Sequence, residues 1–117
     1  MLRFSAFRCA FSGIAFMLRT QPHTRCHLVA SIAVVILGIV LNVTRLEWLA
    51  LIFAMAIVWT AEAFNTAIEV ACDAITLEKH PLIGRAKDVS AGAVLIAAIF
   101  AAAVGTWVFL PRIWAVI

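Results

Sequence analysis

Glu62, Asn65, Glu69 and Asp73 are the residues of this chain whose types and spacing best suit chemistry. They follow the apolar run 48–61 without a break. At about 100° per residue, their side chains fall within roughly 80° of one another on a helix. Carboxylates are costly beside hydrocarbon and are rarely found there without a function. Such a cluster suits Mg²⁺, which can hold nucleotide phosphates, and one carboxylate could accept a proton from an attacking hydroxyl.

Lys87 and Asp88 add a cation and an acid near the start of a later helix, whose N-terminus favours phosphate. Asp88 could orient Lys87 or join a metal site. No G-x-x-x-x-G-K-[ST] motif is present, so a nucleotide site here would not be a P-loop. The acidic spacing also fits a second interpretation, in which a polar helix face forms ion pairs with neighbouring helices and does no chemistry.

The composition indicates an integral membrane protein with one small domain, residues 1–117. Of the 117 residues, 66% are hydrophobic and 13% are charged, whereas soluble domains have about 45–50% apolar and about 25% charged residues. The net charge of +3 suggests that the chain contacts a negatively charged membrane surface, and no motif for nucleic-acid binding is present. The three cysteines, Cys9, Cys26 and Cys72, form no C-x-x-C pair, so we expect small buried thiols and no zinc site.

An N-terminal amphipathic surface helix and three membrane helices are predicted to position these residues. Residues 3–19 have Phe4, Phe7 and Phe11 on one side and arginines on another, as at a membrane interface. Pro22 breaks that helix. The membrane helices are predicted over 24–41, 46–75 and 85–110, with Pro111 and Arg112 ending the last one.

The basic residues predict the orientation. Arginines precede the first span, and Lys79, Arg85 and Lys87 lie between the second and third spans. The positive-inside rule then places the N-terminus and the loop 76–88 in the cytoplasm. Most of the acids, including Glu62 and Asp73, would therefore lie at the cytoplasmic face, where ATP is available.

The sequence from Glu62 to Asp73, read as E-A-F-N-T-A-I-E-x-x-x-D, and the stretch A-K-D-V-S-A-G-A-V-L from Ala86 resemble the prokaryotic diacylglycerol kinase family. That family includes the undecaprenol kinases of Gram-positive bacteria. The resemblance covers nearly the whole chain. It implies a homotrimeric kinase of the bacterial inner membrane, which transfers the γ-phosphoryl group of MgATP to a lipid hydroxyl in sites shared between protomers.

The resemblance also implies roles for individual residues. Glu62 is similar to the family's general base, while Asn65 and Asp73 are similar to polar supports of its site. The nucleotide-binding residues implied are Glu69, Glu78, Lys79, His80, Lys87 and Asp88. Glu69 would also bind the metal. The family commonly has a second metal-binding Glu where this chain has Gln21, which offers a neutral carbonyl oxygen and one negative charge fewer.

Several alternatives remain open. The Arg-x-His-Leu segment at Arg25 favours undecaprenol as the substrate, whereas the loop from His80 to Asp88 favours diacylglycerol. His27 is interpreted as a capping or interfacial histidine, with a hinge or headgroup role as the alternative. Ser90 is expected to face about 100° away from the site position at Ala91. Rival functions are a small oligomeric transporter subunit with Glu62 as a proton-coupled site, or a non-catalytic assembly partner.

Overall fold

The protein is an all-α chain of four helices. The computed structural model describes residues 2–117, with side chains from Ser5 onward, and that part of the chain contains no strand. The helices are α1 Leu2–Thr20, α2 Pro22–Val40, α3 Arg45–Ile75 and α4 Pro81–Val116. The last three are long and apolar enough to cross a membrane. The prediction of an all-α protein with three helices able to cross a membrane is thus confirmed. The predicted position of Phe4 on the apolar side of the first helix concerns a side chain outside the described ones.

Helix α3 carries the four candidate residues and has 31 residues. At 1.5 Å per residue it is about 46 Å long, which exceeds the ~30 Å hydrocarbon thickness of a bilayer. The side chain of Thr44 accepts a hydrogen bond from the Glu47 N–H, and Glu47 accepts one from the Thr44 N–H, so a capping box starts the helix. The observed bounds agree with the predicted 46–75 to within one residue.

Two helices begin earlier than predicted because each has a proline in its first turn. Helix α2 begins at Pro22 and not at residue 24, and α4 begins at Pro81 and not at residue 85. Proline has no N–H to leave unpaired there, and its fixed φ already suits a helix. The only residue between α1 and α2 is Gln21, which is extended and makes no side-chain capping bond.

Helix α4 also continues through Pro111 to Val116, so the predicted end at Leu110 is wrong. Contacts of the next residue, Arg112, explain why the helix continues. The Arg112 guanidinium binds the carboxylate of Glu47 and donates to the backbone carbonyls of Leu41 and Asn42. We call this set of contacts the Arg112 clamp. It joins the end of α4 to the start of α3 and the end of α2, and these bonds hold the final turns in place.

The apolar core lies beside the Arg112 clamp, where α2, α3 and α4 meet. Its buried members are Val43, Leu51, Val108 and Phe109. Gly38 is buried against the indole of Trp48, and a Cβ atom there would lie only 2.5 Å from the ring atom Cη2. Glycine therefore allows α2 to approach α3 closely. Elsewhere most large apolar side chains are exposed, as expected for helices surrounded by lipid. The expectation of buried thiols holds for Cys72 alone and is wrong for Cys9 and Cys26, which lie on exposed faces of α1 and α2.

Helix α1 packs beside α2 and α3 through Met17, which is buried. Its phenylalanines face outward, with Phe7 64% and Phe11 69% exposed. Arg8 and Arg19 on the same helix are exposed as well, so the predicted amphipathic pattern stays a prediction. The position of α1 on a membrane surface stays a prediction.

Candidate active site

Glu62 is the most buried acid of the described chain, with 4% of its surface exposed. It lies in the middle of α3 and points toward α2. There its Oε1 atom is 2.9 Å from Nε2 of His27. Because a buried carboxylate without a partner is strongly disfavoured, this contact lets Glu62 remain inside the bundle.

Asn65 and its neighbour Thr66 make the next polar contacts along α3. The hydroxyl of Ser90 on α4 donates to Asn65 Oδ1 at 2.8 Å and also contacts the Lys87 carbonyl at 2.9 Å. Ser90 is buried, and Asn65 is half-buried. The Thr66 hydroxyl donates to the backbone carbonyl of Glu62, within α3 itself. Asn65 is therefore fixed to α4 and not to α2.

Glu69 and Asp73 meet Lys87 across the α3–α4 interface. The Lys87 ammonium lies 2.7 Å from Asp73 Oδ1 and 3.6 Å from Glu69 Oε2. Asp88 is exposed and is not the partner of Lys87, so the first of its two suggested roles, orienting Lys87, is not the one observed. The residue adjacent to Lys87 is turned about 100° away on the helix. One lysine thus joins two acids at a partly exposed end of the helix pair.

Glu78, Lys79 and His80 form the connection between α3 and α4. With Lys87 they line an open pocket of ≈ 530 Å³. His80 is also the N-cap of α4, because its Nδ1 atom accepts a hydrogen bond from the Leu82 N–H at 3.2 Å. The pocket brings Lys87 together with the three predicted nucleotide residues of the loop.

The predicted metal ligands, Glu69 and Gln21, do not belong to a cluster of acids. Over residues 2–117, no group of three or more His, Cys, Asp or Glu side chains is placed to hold a metal ion. Mg²⁺ commonly binds through one or two carboxylates together with substrate phosphates. The Glu69 side chain is 36% exposed and could supply one such oxygen, so the residues fit a magnesium ion that arrives with its nucleotide.

The predicted cluster on α3 is therefore divided between two neighbouring helices. Glu62 contacts α2, whereas Asn65, Glu69 and Asp73 contact α4. The division separates a buried carboxylate from a charged, half-exposed group beside an open pocket. Such a site can hold an anionic ligand at its outer end while the inner carboxylate accepts a proton.

The contacts of two residues differ from what the sequence predicts. The sequence indicates a capping or interfacial role for His27, and it places Ser90 about 100° from the position of Ala91 without assigning it a partner. Both are polar side chains whose partners lie on another helix, at Glu62 and Asn65. A signal was present for each, since a lone polar residue in an apolar helix usually needs a partner.

Comparison with known proteins gives one family. The model of the family described as "Prokaryotic diacylglycerol kinase" matches residues 8–109. Undecaprenol kinase from Bacillus subtilis (strain 168) is 36% identical over 110 residues, covering 94% of this chain and 89% of that protein. Diacylglycerol kinase from Synechocystis sp. is 35% identical, covering 91% of this chain and 61% of that protein. Diacylglycerol kinase from Escherichia coli (strain K12) is 42% identical, covering 70% and 66%.

Proposed function

The chain belongs to the prokaryotic diacylglycerol kinase family, and we propose that it transfers the γ-phosphoryl group of ATP to diacylglycerol, forming phosphatidic acid. We further propose that the protein is a homotrimer of the bacterial inner membrane. Its N-terminus and active site face the cytoplasm, and α1 lies on the membrane surface. The family itself supports a membrane lipid kinase, which agrees with three helices able to span a bilayer.

One observation carries the proposal, namely the order of the polar groups along α3. Glu62 lies deepest in the bundle, and Lys87 with its two acids lies about two to three turns further toward the loop. A lipid hydroxyl reaches the site from the hydrocarbon side, whereas a nucleotide reaches it from water. The arrangement therefore suits a reaction between one membrane-bound and one water-soluble substrate.

Each group has a chemical task in this reaction. Glu62 accepts the proton of the lipid hydroxyl as the hydroxyl oxygen attacks the γ-phosphorus; the bond from that phosphorus to the β,γ-bridging oxygen breaks, and ADP leaves. Lys87 binds the phosphates, and the exposed side chains of Glu78, Lys79 and His80 surround the nucleotide from the loop. Asp88 contacts the nucleotide beside Lys87. Asn65 and Asp73 hold the site to α4.

Magnesium would be held by Glu69, with Gln21 offering a carbonyl oxygen. When bound, the ion neutralises negative charge on the nucleotide phosphates. Glu69 has the exposed carboxylate that this requires. A neutral Gln21 predicts weaker metal binding than a glutamate would give.

Undecaprenol is the second candidate substrate, and a specific observation favours it. The match to the B. subtilis undecaprenol kinase covers 94% of this chain and 89% of that protein, whereas the matches to the Synechocystis and E. coli diacylglycerol kinases cover 61% and 66% of those proteins. Both lipids present a primary hydroxyl at the membrane surface. The chemistry proposed for Glu62 is the same for either one.

Purified protein incubated with Mg²⁺, [γ-³²P]ATP and each lipid in turn tests the proposal. We expect labelled phosphatidic acid, or labelled undecaprenyl phosphate if the second candidate is correct. Glu62→Gln should lower kcat by roughly 10²–10⁴-fold, the usual contribution of a general base. Arg45→Gln is the matched control, because Arg45 is an exposed charged residue at the opposite end of α3. Absence of label in both lipids would refute the enzyme assignment.

Two rival functions give different results in related assays. A proton-coupled transporter subunit would show flux in proteoliposomes without ATP and would lose it in Glu62→Gln. A non-catalytic assembly partner would be inactive as purified and would gain kinase activity in Gln21→Glu. For the active kinase proposed here, Gln21→Glu should instead lower the Mg²⁺ concentration needed for half-maximal rate.

A further inference from the structure

We propose that His27 is a positioning residue for Glu62, so that α2 takes part in the reaction through the carboxylate it holds. This inference rests on the proposed function of Glu62 as the proton acceptor. It assigns to His27 a specific contact and a specific effect on turnover, neither of which a capping or interfacial histidine would have.

The geometry of the contact is the first argument. Nε2 of His27 is 2.9 Å from Glu62 Oε1, a normal length for a hydrogen bond between nitrogen and oxygen. The carboxylate is almost fully buried, while the imidazole side chain is 27% exposed. A carboxylate can only accept, so Nε2 must carry the proton, whether the ring is neutral or charged. In the proposed arrangement, the Nε2–H of His27 donates to one oxygen of Glu62.

The second carboxylate oxygen is the one that remains for chemistry. Among the side chains described from Ser5 onward, none makes a hydrogen bond to Oε2 of Glu62, and this oxygen is not one of the fully enclosed atoms left without a partner. Binding one oxygen through His27 fixes the rotation of the carboxylate group. The other oxygen is thereby held in one direction, as a base must be to meet a substrate proton.

The packing of α2 against α3 is less extensive than the packing of α4 against α3. Few contacts therefore set the position of α2. One turn further along α2, the Ser31 hydroxyl accepts a hydrogen bond of 2.9 Å from Trp59 Nε1. These are the two side-chain bonds between α2 and α3 in the described chain, and only the one from His27 reaches a carboxylate.

His27 also lies at a chemical boundary. Together with Ser31 and Trp59 it lines a cavity of ≈ 270 Å³, which otherwise has mostly small and apolar walls from α3 and α4. The histidine thus contacts the carboxylate and also lines this open, mostly apolar pocket, whose walls do not include Glu62. A residue in this place can hold Glu62 toward the site.

Steady-state kinetics of three variants test the role. His27→Leu keeps the bulk and removes the donor, His27→Gln restores an amide N–H at similar reach, and Ser31→Ala removes the neighbouring bond between the same helices. We expect His27→Leu to lower kcat by about 10- to 100-fold with the KM for ATP changed less than about twofold, because a misplaced base costs turnover and not nucleotide binding. His27→Gln should recover most of the lost rate, and Ser31→Ala should keep kcat within about twofold.

Equal losses in His27→Leu and Ser31→Ala would overturn the proposal, because they would show a general requirement for α2 packing. Full activity in His27→Leu would overturn it as well. A parent protein that phosphorylates neither lipid would instead refute the proposed function, and the role of His27 would fail with it.

A spectroscopic measurement tests the contact without enzyme activity. The chain has three histidines, so ¹⁵N-histidine NMR of the detergent-solubilised protein gives few signals, and His27→Leu assigns one set. Glu62→Ala should shift the Nε2 resonance of His27 and leave those of His23 and His80 in place. An unchanged His27 resonance in Glu62→Ala would exclude the hydrogen bond and therefore the positioning role. Thermal unfolding of each variant confirms that it is folded.

Discussion

Removing the hydroxyl of Ser90 should weaken both the fold and the reaction. In the structure this hydroxyl is buried and donates to Asn65 Oδ1 at 2.8 Å. Ser90→Ala leaves the amide oxygen of a half-buried asparagine without a donor. Leaving such a group unpaired costs about 1–3 kcal/mol, so we expect the free energy of unfolding to fall by about that amount.

The effect on rate can be worked out in the same way. A net hydrogen-bond contribution of about 1–1.5 kcal/mol corresponds to roughly tenfold in rate when it is lost from the transition state. We therefore expect Ser90→Ala to lower kcat by about tenfold if Asn65 supports the site as proposed. The assays are SDS-induced unfolding in detergent micelles and transfer of ³²P from ATP to lipid.

Thr106→Val is the matched control for Ser90→Ala. It removes a hydroxyl from the same helix, and that hydroxyl is exposed and bonds only to the carbonyl of Ala102 in its own helix. We expect its stability to change by less than about 0.5 kcal/mol and its kcat to stay the same. If Ser90→Ala behaves like Thr106→Val in both assays, the bond between Ser90 and Asn65 has no role in holding the site.

Three further predictions concern other parts of the chain. Lys87→Met should raise the KM for ATP by at least about tenfold, because it removes the cation proposed to bind phosphate. Arg85→Met, on the same helix, should leave the KM unchanged. Equal increases in the two variants would refute the role of Lys87. Gly38→Ala should lower the free energy of unfolding by about 1–3 kcal/mol, because the new Cβ atom would collide with the indole ring of Trp48. Gly13→Ala is its control and should not lower the free energy of unfolding, because no atom lies within 4 Å of a Cβ atom there. Thr24→Val should raise the free energy of unfolding by about 1 kcal/mol. In the described chain, the Thr24 hydroxyl is the buried side-chain group without a hydrogen-bond partner. A loss of stability in this variant would contradict the explanation.

The sequence predicted α3 almost completely because every signal for it is local. An apolar run continues directly into a polar stretch, and no proline or glycine interrupts it between Arg45 and Ile75. The face shared by the acids follows from helical geometry alone. The family resemblance rested on the same short stretches and is confirmed by the match over residues 8–109.

The parts that failed depend on contacts between distant residues. The end of α4 was missed because Arg112 meets Glu47, which lies 65 positions away in the sequence. The contacts of His27 and Ser90 are not predicted for the same reason, since the partner of each lies on another helix. Helical periodicity gives the direction of a side chain from its own axis. It cannot tell which neighbour fills that direction.

The Arg112 clamp has a consequence for how the bundle moves. It binds the ends of α2, α3 and α4 together at one side, next to the apolar core. Helices fastened at one end fluctuate with an amplitude that grows toward the other, so opening should be greatest near Pro22 and Ile75. Amide hydrogen exchange along α2 should accordingly slow from Thr24 toward Leu37, and uniform rates would exclude such a gradient. The end held by the Arg112 clamp then acts as the pivot, and the more mobile end is the one at which the proposed lipid and nucleotide substrates would enter.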